Sequence, residues 1–347
     1  MRKASYGGGP VVGAPYGAVS ASTAMSAGQP ELDRQAADTA ASSLRATGEP
    51  GDGSSQRLLP RRLQPADCSR HGSTVGSVEM VNEFVVGVPH PRLRPFVGDY
   101  SGYRIRGGPP GVHMGLPSKS LTFIVAFDDP VDVDGSFVER DRYWAMLAGL
   151  HARPALIRHD GHQHGVQLSI TPAGVAALFG IPAGALAHQV IHLDAVVPDV
   201  ADELVERLSQ ARSWRARWAI LDAVLLGRMS PDDVMAPQLA HVWSALVRGH
   251  GATEIGELAD SVGWSRPHLS RRFTTAFGMS PKVMSRVVRF ERAQRMLRLP
   301  TRPSLASVAA ACRYADQAHM TRDFHEFAGS SPTAWMADEM ITFVQDT

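Results

Sequence analysis

The chain has 347 residues and a formal net charge of +1, and this length favours two folded domains with additional segments. Its two cysteines, Cys68 and Cys312, are too few for a disulfide framework or a cysteine-based zinc site, so we expect a reducing compartment. The sequence contains no apolar run of about 18 residues, which argues against a membrane span and favours a cytoplasmic location.

The first part of the chain predicts three regions in succession. Residues 1–78 are rich in Gly, Ala, Ser, Pro and Gln and lack periodic apolar residues, so we predict that they are disordered. Residues 79–197 contain short apolar runs separated by Gly, Pro and Asp, which predicts a β-rich, barrel-like (cupin-like) domain. Residues 198–249 show a helical apolar period and are predicted to be connecting helices, whose apolar stripes form core or, alternatively, a dimer surface.

A group of histidines in the β-rich region raises the question of metal binding or catalysis. His159, His162 and His164, with His151 upstream, are irregularly spaced and flank a glycine-containing turn, which favours an exposed loop over a metal site. A metal-dependent enzyme of the cupin type is the alternative. The chain has no glycine-rich phosphate loop, G-x-S-x-G nucleophile elbow or H-E-x-x-H motif. We therefore assign no catalytic residue, metal or cofactor.

The C-terminal region contains one helix-turn-helix pattern twice. In the first copy an apolar helix is followed by Gly263, which suits a left-handed turn, and by Ser265, which can cap the next helix. In the second copy Arg313 replaces the glycine and Asp316 replaces the serine. Both copies end in Gly-x-Ser-Pro, at a displacement of 51 residues. The repeat predicts two units with apolar stripes inside: Leu269, Phe273 and Phe277 in the first copy, Met320, Phe324 and Phe327 in the second.

The positive charge of the chain is concentrated in this same region. Between Thr253 and Met336 there are twelve Lys/Arg against seven Asp/Glu, and between Trp264 and Arg302 there are ten against Glu291 alone. Much of this charge lies on one predicted amphipathic helix that starts at Pro281 and separates the two units. Such a concentration is typical of a surface that binds phosphates.

The stretch Ile255 to Met336 resembles the DNA-binding domain of the AraC/XylS family of transcription regulators. The resemblance is carried by Gly-Trp-Ser at 263–265, His-Leu-Ser-Arg-Arg-Phe at 268–273, Gly-Met-Ser-Pro at 278–281, and Ala-His-Met-Thr-Arg-Asp-Phe at 318–324. It implies a seven-helix domain, placed here at 250–340 and all-α, in an α+β multidomain protein. It also implies sequence-specific binding of double-stranded DNA, with RNA polymerase as a candidate partner and a monomer or homodimer as the active form. The β-rich region 79–197 resembles the effector or dimerisation domains that precede such DNA-binding regions, which implies a regulatory domain that binds an unidentified small molecule or a second subunit.

By motif position, the resemblance implies two groups of DNA-binding residues. An arginine can pair with guanine and a glutamine with adenine, whereas other cations hold phosphates. The residues expected at base edges are Arg266, Pro267, Ser270, Arg271, Gln317, Ala318, Thr321 and Arg322, and those expected at phosphates are Ser265, Arg272, Arg286 and Arg289. The alternative is a nonspecific architectural binder, against which the outward polar residues Ser270, Gln317 and Thr321 argue.

The second unit departs from the family pattern at its turn. The family usually has glycine at the position of Arg313. A side chain there costs on the order of 1 kcal/mol if the turn keeps its left-handed geometry.

Overall fold

The computed structural model describes residues 81–230, 235–301 and 303–339. Residues 1–78, for which disorder is predicted, lie outside the described residues. No helix in the described ranges is both long enough and apolar enough to cross a bilayer.

The N-terminal unit is built on two antiparallel sheets. The larger sheet has the strand order β1-β2-β9-β4-β7-β10 and the smaller one has the order β3-β8-β5-β6. Neither sheet closes on itself, so the predicted cupin-like barrel is not confirmed, although the unit is rich in β-strands as expected. The strands are β1 Val81–Gly87, β2 Val97–Arg106, β3 Gly111–Gly115, β4 Leu121–Ala126, β5 Val131–Gly135, β6 Val138–Tyr143, β7 Ala145–Ala148, β8 Ala155–His159, β9 Gln163–Ile170 and β10 Val190–His192.

Strand β4 shows why the apolar runs form buried strands. Because side chains alternate across a strand, Phe123 and Val125 contribute to the large core shared with the helices. Ile124, on the opposite face, packs with Val133 and Tyr143 in a second, smaller cluster. A strand covered on both faces loses the apolar-polar alternation and becomes a continuous apolar run.

Ten α-helices follow or interrupt the strands within the described ranges. Two short 3-10 turns, Ala183–Leu186 and Leu193–Ala195, lie between the first and second of these helices. The helices are α1 Pro172–Phe179, α2 Ala201–Gln210, α3 Trp214–Arg228, α4 Pro237–Arg248, α5 Ile255–Asp260, α6 Arg266–Phe277, α7 Pro281–Leu297, α8 Leu305–Ala311, α9 Gln317–Ala328 and α10 Pro332–Glu339.

Helix α3 packs directly on the larger sheet through two tryptophans. A Cβ at Gly102 would lie 2.5 Å from the Trp214 ring, and a Cβ at Gly87 would lie 2.6 Å from the Trp218 ring. Glycine at these two strand positions therefore lets the indole rings lie on the backbone. The hydroxyl of Tyr100 on β2 donates a 2.8 Å hydrogen bond to Asp222 of α3, which fixes the helix on the sheet.

Helix α4 packs with the C-terminal helices. The sequence places it in the connecting range 198–249, yet it contacts α5, α6 and α7. Its Trp243 ring lies 4.5 Å from Phe277 and 6.0 Å from Phe273 of α6, measured between centroids. With α4 included, the C-terminal unit has seven helices among the described residues, the number that the resemblance implies.

Candidate nucleic-acid interface

The two helix-turn-helix units are built by the same local chemistry. In the first, Gly263 has φ of +70° and the Ser265 hydroxyl accepts a 3.3 Å hydrogen bond from the His268 N–H, capping α6. In the second, Arg313 has φ of +60° and the Asp316 carboxylate accepts a 2.6 Å bond from the His319 N–H, capping α9. Both turns are therefore left-handed, and both second helices begin at a side-chain cap.

A ring contact is also repeated at the start of each second helix. The Trp264 and His268 rings meet edge to face with centroids 4.9 Å apart, and those of Tyr314 and His319 do so at 5.2 Å. Behind them, the apolar stripes predicted on both helices are completely buried. Burial of one stripe fixes which side chains of α6 and α9 point away from the core.

The outward faces of α6 and α9 carry most of the residues predicted at base edges. Pro267 and Arg271 are exposed and Ser270 is half-buried on α6, while Gln317, Ala318 and Arg322 are exposed and Thr321 is half-buried on α9. The Arg271 guanidinium lies 3.3 Å from Nδ1 of His268. The Thr321 hydroxyl donates to the Gln317 carbonyl at 2.9 Å, which leaves its oxygen able to accept a further hydrogen bond.

Arg266 differs from its neighbours on α6. Its guanidinium lies over Gly256 of α5, where a Cβ would come within 2.4 Å of Nη2. The side chain is thus folded back along the first helix of the unit, and glycine at 256 leaves the space for it. Arg266 is nevertheless exposed, and its contact with a base edge stays a prediction.

Arg286, predicted to bind a phosphate, is held by two carboxylates of α9. Its Nε and Nη2 donate to Oδ1 of Asp323 at 3.1 and 2.7 Å, and both of its terminal nitrogens bind Glu326. Its guanidinium also stacks on the Phe327 ring, 4.8 Å from the centroid. The hydrogen bonds to Glu326 and Asp323 raise the pKa of the guanidinium despite partial burial. We therefore reassign Arg286 to the joint between α7 and α9.

The other residues predicted at phosphates lie at the edges of the units. Ser265 is exposed and acts as the helix cap, and Arg272 is half-buried on α6. Arg289 of α7 stacks on the Tyr314 ring at 5.3 Å, and its Nη1 donates to the Arg313 carbonyl oxygen at 3.5 Å. Arg289 therefore reaches from the long helix to the turn of the second unit.

Comparison with known proteins places this region in a family. The family described as "Helix-turn-helix domain" matches residues 258–338. The DNA-binding domain of AdpA, a global transcriptional factor crystallised with a target DNA, is 30% identical over 30% of this chain and 94% of that domain, with a TM-score of 0.28. The chain belongs to the AraC/XylS family of transcription regulators.

Two further solved structures of this type are more distant. A regulator with an AraC-type DNA-binding domain from Chromobacterium violaceum is 22% identical over 29% of this chain and 91% of its own, with a TM-score of 0.28. ToxT from Vibrio cholerae is 11% identical over 71% of this chain and 99% of its own, with a TM-score of 0.42. These values are too low to support any inference about the N-terminal unit. No curated protein matches the chain.

This AraC-family chain also has a contact between its N-terminal and C-terminal units that the sequence analysis does not predict. Lys119, in the loop before β4, forms an ion pair with Glu291 of α7, and its backbone N–H donates to the same carboxylate at 3.3 Å. The 3-10 turn Ala183–Leu186 packs against α6. A Cβ at Gly184 would lie 2.4 Å from the Thr275 carbonyl oxygen. The sequence feature that could have indicated this contact is Glu291, the only acidic residue between Trp264 and Arg302.

Three of the four histidines singled out in the sequence, His159, His162 and His164, line one pocket of about 370 Å³, and His151 is not among its lining residues. His164 is buried with Nδ1 3.1 Å from Asp128, whereas His162 is exposed beside Asp160. Nδ1 of the buried His151 lies 2.6 Å from the Arg153 carbonyl oxygen, and burial lowers the pKa of this imidazole to about 4. Among the described residues, no three His, Cys, Asp or Glu side chains are grouped as metal ligands.

Proposed function

We propose that this AraC-family regulator reads a bipartite DNA site, with α6 and α9 entering adjacent major grooves. The observation that carries the proposal is the repetition of cap, left-handed turn and buried stripe in both units, joined by α7. Recognition helices on one face of B-DNA enter successive major grooves about 34 Å apart. A rigid helix between the units is suited to setting such a spacing.

Within this proposal, the exposed arginines have the leading roles. Arg271 and Arg322 can each make a bidentate pair with guanine, and Gln317 can pair with adenine, each worth about 1–3 kcal/mol of discrimination. The remaining contacts at base edges are assigned to Pro267, Ser270, Ala318 and Thr321, and the phosphate contacts to Ser265, Arg272 and Arg289.

A nonspecific architectural binder is the second candidate function. The basic surface alone would support it, because phosphate contacts carry no sequence information. The outward faces of α6 and α9 argue against it. They carry Ser270, Gln317 and Thr321, whose amide and hydroxyl groups add nothing to a purely electrostatic grip but can form hydrogen bonds with base edges.

We propose that the N-terminal unit modulates DNA binding through its contacts with α6 and α7. The turn Ala183–Leu186 lies against the C-terminal end of the first recognition helix, and a Cβ at Gly278 would come 2.0 Å from Cβ of Ala187. A ligand or subunit that moves this turn would change the free energy of placing α6 on DNA. Coupling of this kind is typically about 1–3 kcal/mol. We take residues 79–197 as the regulatory domain and assign α4 to the DNA-binding unit.

The test is selection of bound sequences from a random duplex library with the full chain. We expect a bipartite motif, with one half lost in Arg271→Ala and the other half lost in Arg322→Ala. Arg215→Ala, which removes an exposed arginine from α3, is the matched control and should leave both halves intact. Enrichment no greater than a salt-sensitive background would reduce the function to nonspecific binding.

A further inference from the structure

The edge strand β1 exposes an apolar surface on the larger sheet. Of the eight large apolar side chains that are exposed among the described residues, four lie between Val81 and Val88. Phe84 and Val86 are 44% and 59% exposed, and they lie on the same face of the strand because side chains alternate. Val88, which is 60% exposed, directly follows the strand. Exposed apolar side chains that adjoin one another in this way mark a protein-protein contact.

The other three sheet edges carry features that block pairing with a second chain. Strand β10 has only three residues. Strand β6 presents four consecutive exposed charged residues, from Glu139 to Arg142. Strand β3 has five residues, lies between Pro110 and Pro117, and has its Met114 at the end of α9. Short length, charge, proline and cover by another element are the usual protections of a sheet edge.

Strand β1 has none of these protections in the part of the chain that the structure describes. It has seven residues, contains no lysine, arginine or proline, and pairs there only with β2. Its single charged residue, Glu83, accepts a 2.8 Å hydrogen bond from Nε1 of Trp214 and is thereby directed to the side of the sheet that α3 covers. The outer backbone N–H and C=O groups of β1 are therefore placed to pair with another strand.

Neither the connecting helices nor the segment before β1 matches this edge. The apolar stripes of the helices in 198–249, for which a dimer surface is the alternative interpretation, are buried in the protein's own core, as Leu208, Leu221 and Leu246 show. The sequence of residues 1–78 is rich in Gly, Ala, Ser, Pro and Gln and lacks alternating apolar residues. It therefore does not supply a strand whose pattern fits that of β1.

We propose that β1 pairs with β1 of a second copy of this chain, antiparallel and about a two-fold axis, to form one continuous sheet across a homodimer. Opposite residues of paired strands lie on the same face, so the axis passes between two copies of the same residue. With the axis at Val85, Phe84 of each copy faces Val86 of the other, and aromatic and β-branched pairs of this kind stabilise sheets. Glu83 then faces Gly87, so the pairing opposes no like charges.

The first experiment measures the oligomeric state of the full chain, without DNA, by sedimentation velocity over a range of protein concentrations. We expect a dimer for the wild type and a monomer for Val86→Lys, because two lysines would be buried opposite Phe84 in the interface. Val112→Lys is the matched control, since Val112 is a 48% exposed valine on the edge strand β3, and this variant should remain dimeric. A monomeric wild type, or equal behaviour of the two lysine variants, would overturn the proposal.

A second experiment tests which residues face each other. Phe84→Glu should also be monomeric alone, with a circular dichroism spectrum like that of the wild type. Mixed with Val86→Lys it should form a heterodimer, because the introduced acid of one copy faces the introduced base of the other while the second contact keeps the native Phe84 and Val86. Restored association also shows that both variants are folded. Two folded monomers that do not associate when mixed would overturn the pairing at Val85.

Hydrogen exchange detects a different occupant of the edge. Amides of Val81–Gly87 that do not bond to β2 should exchange more slowly in the wild type than in Val86→Lys. A monomeric wild type in which these amides are protected would assign the edge to another segment of the same chain and overturn the proposal. Dimerisation does not depend on DNA recognition. Val86→Lys should therefore still enrich the bipartite motif, and failure of one proposal is distinguishable from failure of the other.

Discussion

The turn of the second unit should become more stable when Arg313 is replaced by glycine. Arg313 has φ of +60°, close to the +70° of Gly263 at the matching turn. A side chain in this left-handed region brings Cβ close to the following carbonyl oxygen and costs about 1–2 kcal/mol. Glycine removes that cost but gives the unfolded chain more freedom, which offsets about 0.5–1 kcal/mol.

The expected net gain from Arg313→Gly is about 0.5–1 kcal/mol in the free energy of unfolding. For a unit of about 100 residues this corresponds to an increase in Tm of about 2–6 °C. The hydrogen bond from Arg289 is not lost, because its acceptor is the carbonyl oxygen of residue 313. Thermal unfolding followed by circular dichroism, together with urea unfolding, measures both quantities.

Two variants test whether backbone strain is the cause. Arg313→Ala removes the same side chain but keeps a Cβ at positive φ, so it should give no gain. Gly263→Ala introduces a Cβ at φ of +70° where no atom lies within 4 Å, so only conformational strain changes and stability should fall by about 0.5–1 kcal/mol. An equal gain in Arg313→Ala and Arg313→Gly, or no gain in the latter, would refute this reasoning.

Three other features of the structure predict measurable effects. The pKa of His151 is lowered to about 4, so its neutral form stabilises the fold fully above pH 6.5, and lowering the pH from 7 to 5 should cost about 2 kcal/mol. His151→Asn, which keeps a donor for the Arg153 carbonyl, should reduce this pH dependence in urea unfolding. Lys119→Ala and Glu291→Gln should show a coupling energy of about 0.5–1 kcal/mol in a double-mutant cycle, and strict additivity would contradict the contact. Arg286→Ala leaves a buried carboxylate unpaired and should cost about 3 kcal/mol, most of it recovered when Asp323→Leu is added.

The features that the sequence predicts well are those fixed by local chemistry. Ser265 and Asp316 are helix caps because their short oxygen-bearing side chains reach the free N–H groups two or three residues ahead. The left-handed turn at Gly263 follows from its missing Cβ. The apolar stripes of α6 and α9 follow from the helical period, so both units and their outward faces could be predicted without coordinates.

The features that the sequence does not predict depend on distant neighbours. Arg266 folds back because Gly256, ten positions earlier, leaves space for it, and Arg286 is held by Asp323, 37 positions later. The apolar pattern of a single helix shows that such a side chain points away from the core, but it does not show which residues the side chain contacts. Whether a sheet closes into a barrel also depends on distant strands. Side chains alternate in the same way along the strands of a barrel and along the strands of the two open sheets found here, so the sequence pattern does not distinguish the two folds.

The two helix-turn-helix units differ in their contacts with the rest of the protein, and this difference bears on regulation. The second unit is fixed to α7 by the buried carboxylate of Asp323, which is 1% exposed and bound by Arg286, and by the stacking of Arg289 on Tyr314. The first unit instead contacts the N-terminal turn Ala183–Leu186 through α6. A change in the N-terminal unit can therefore reach the first recognition helix through this turn. The second unit has a smaller direct contact, since a Cβ at Gly329, at the end of α9, would lie 3.8 Å from Cε of Met114 in β3. Under the proposed modulation of DNA binding, the larger effect is therefore expected on the position of α6.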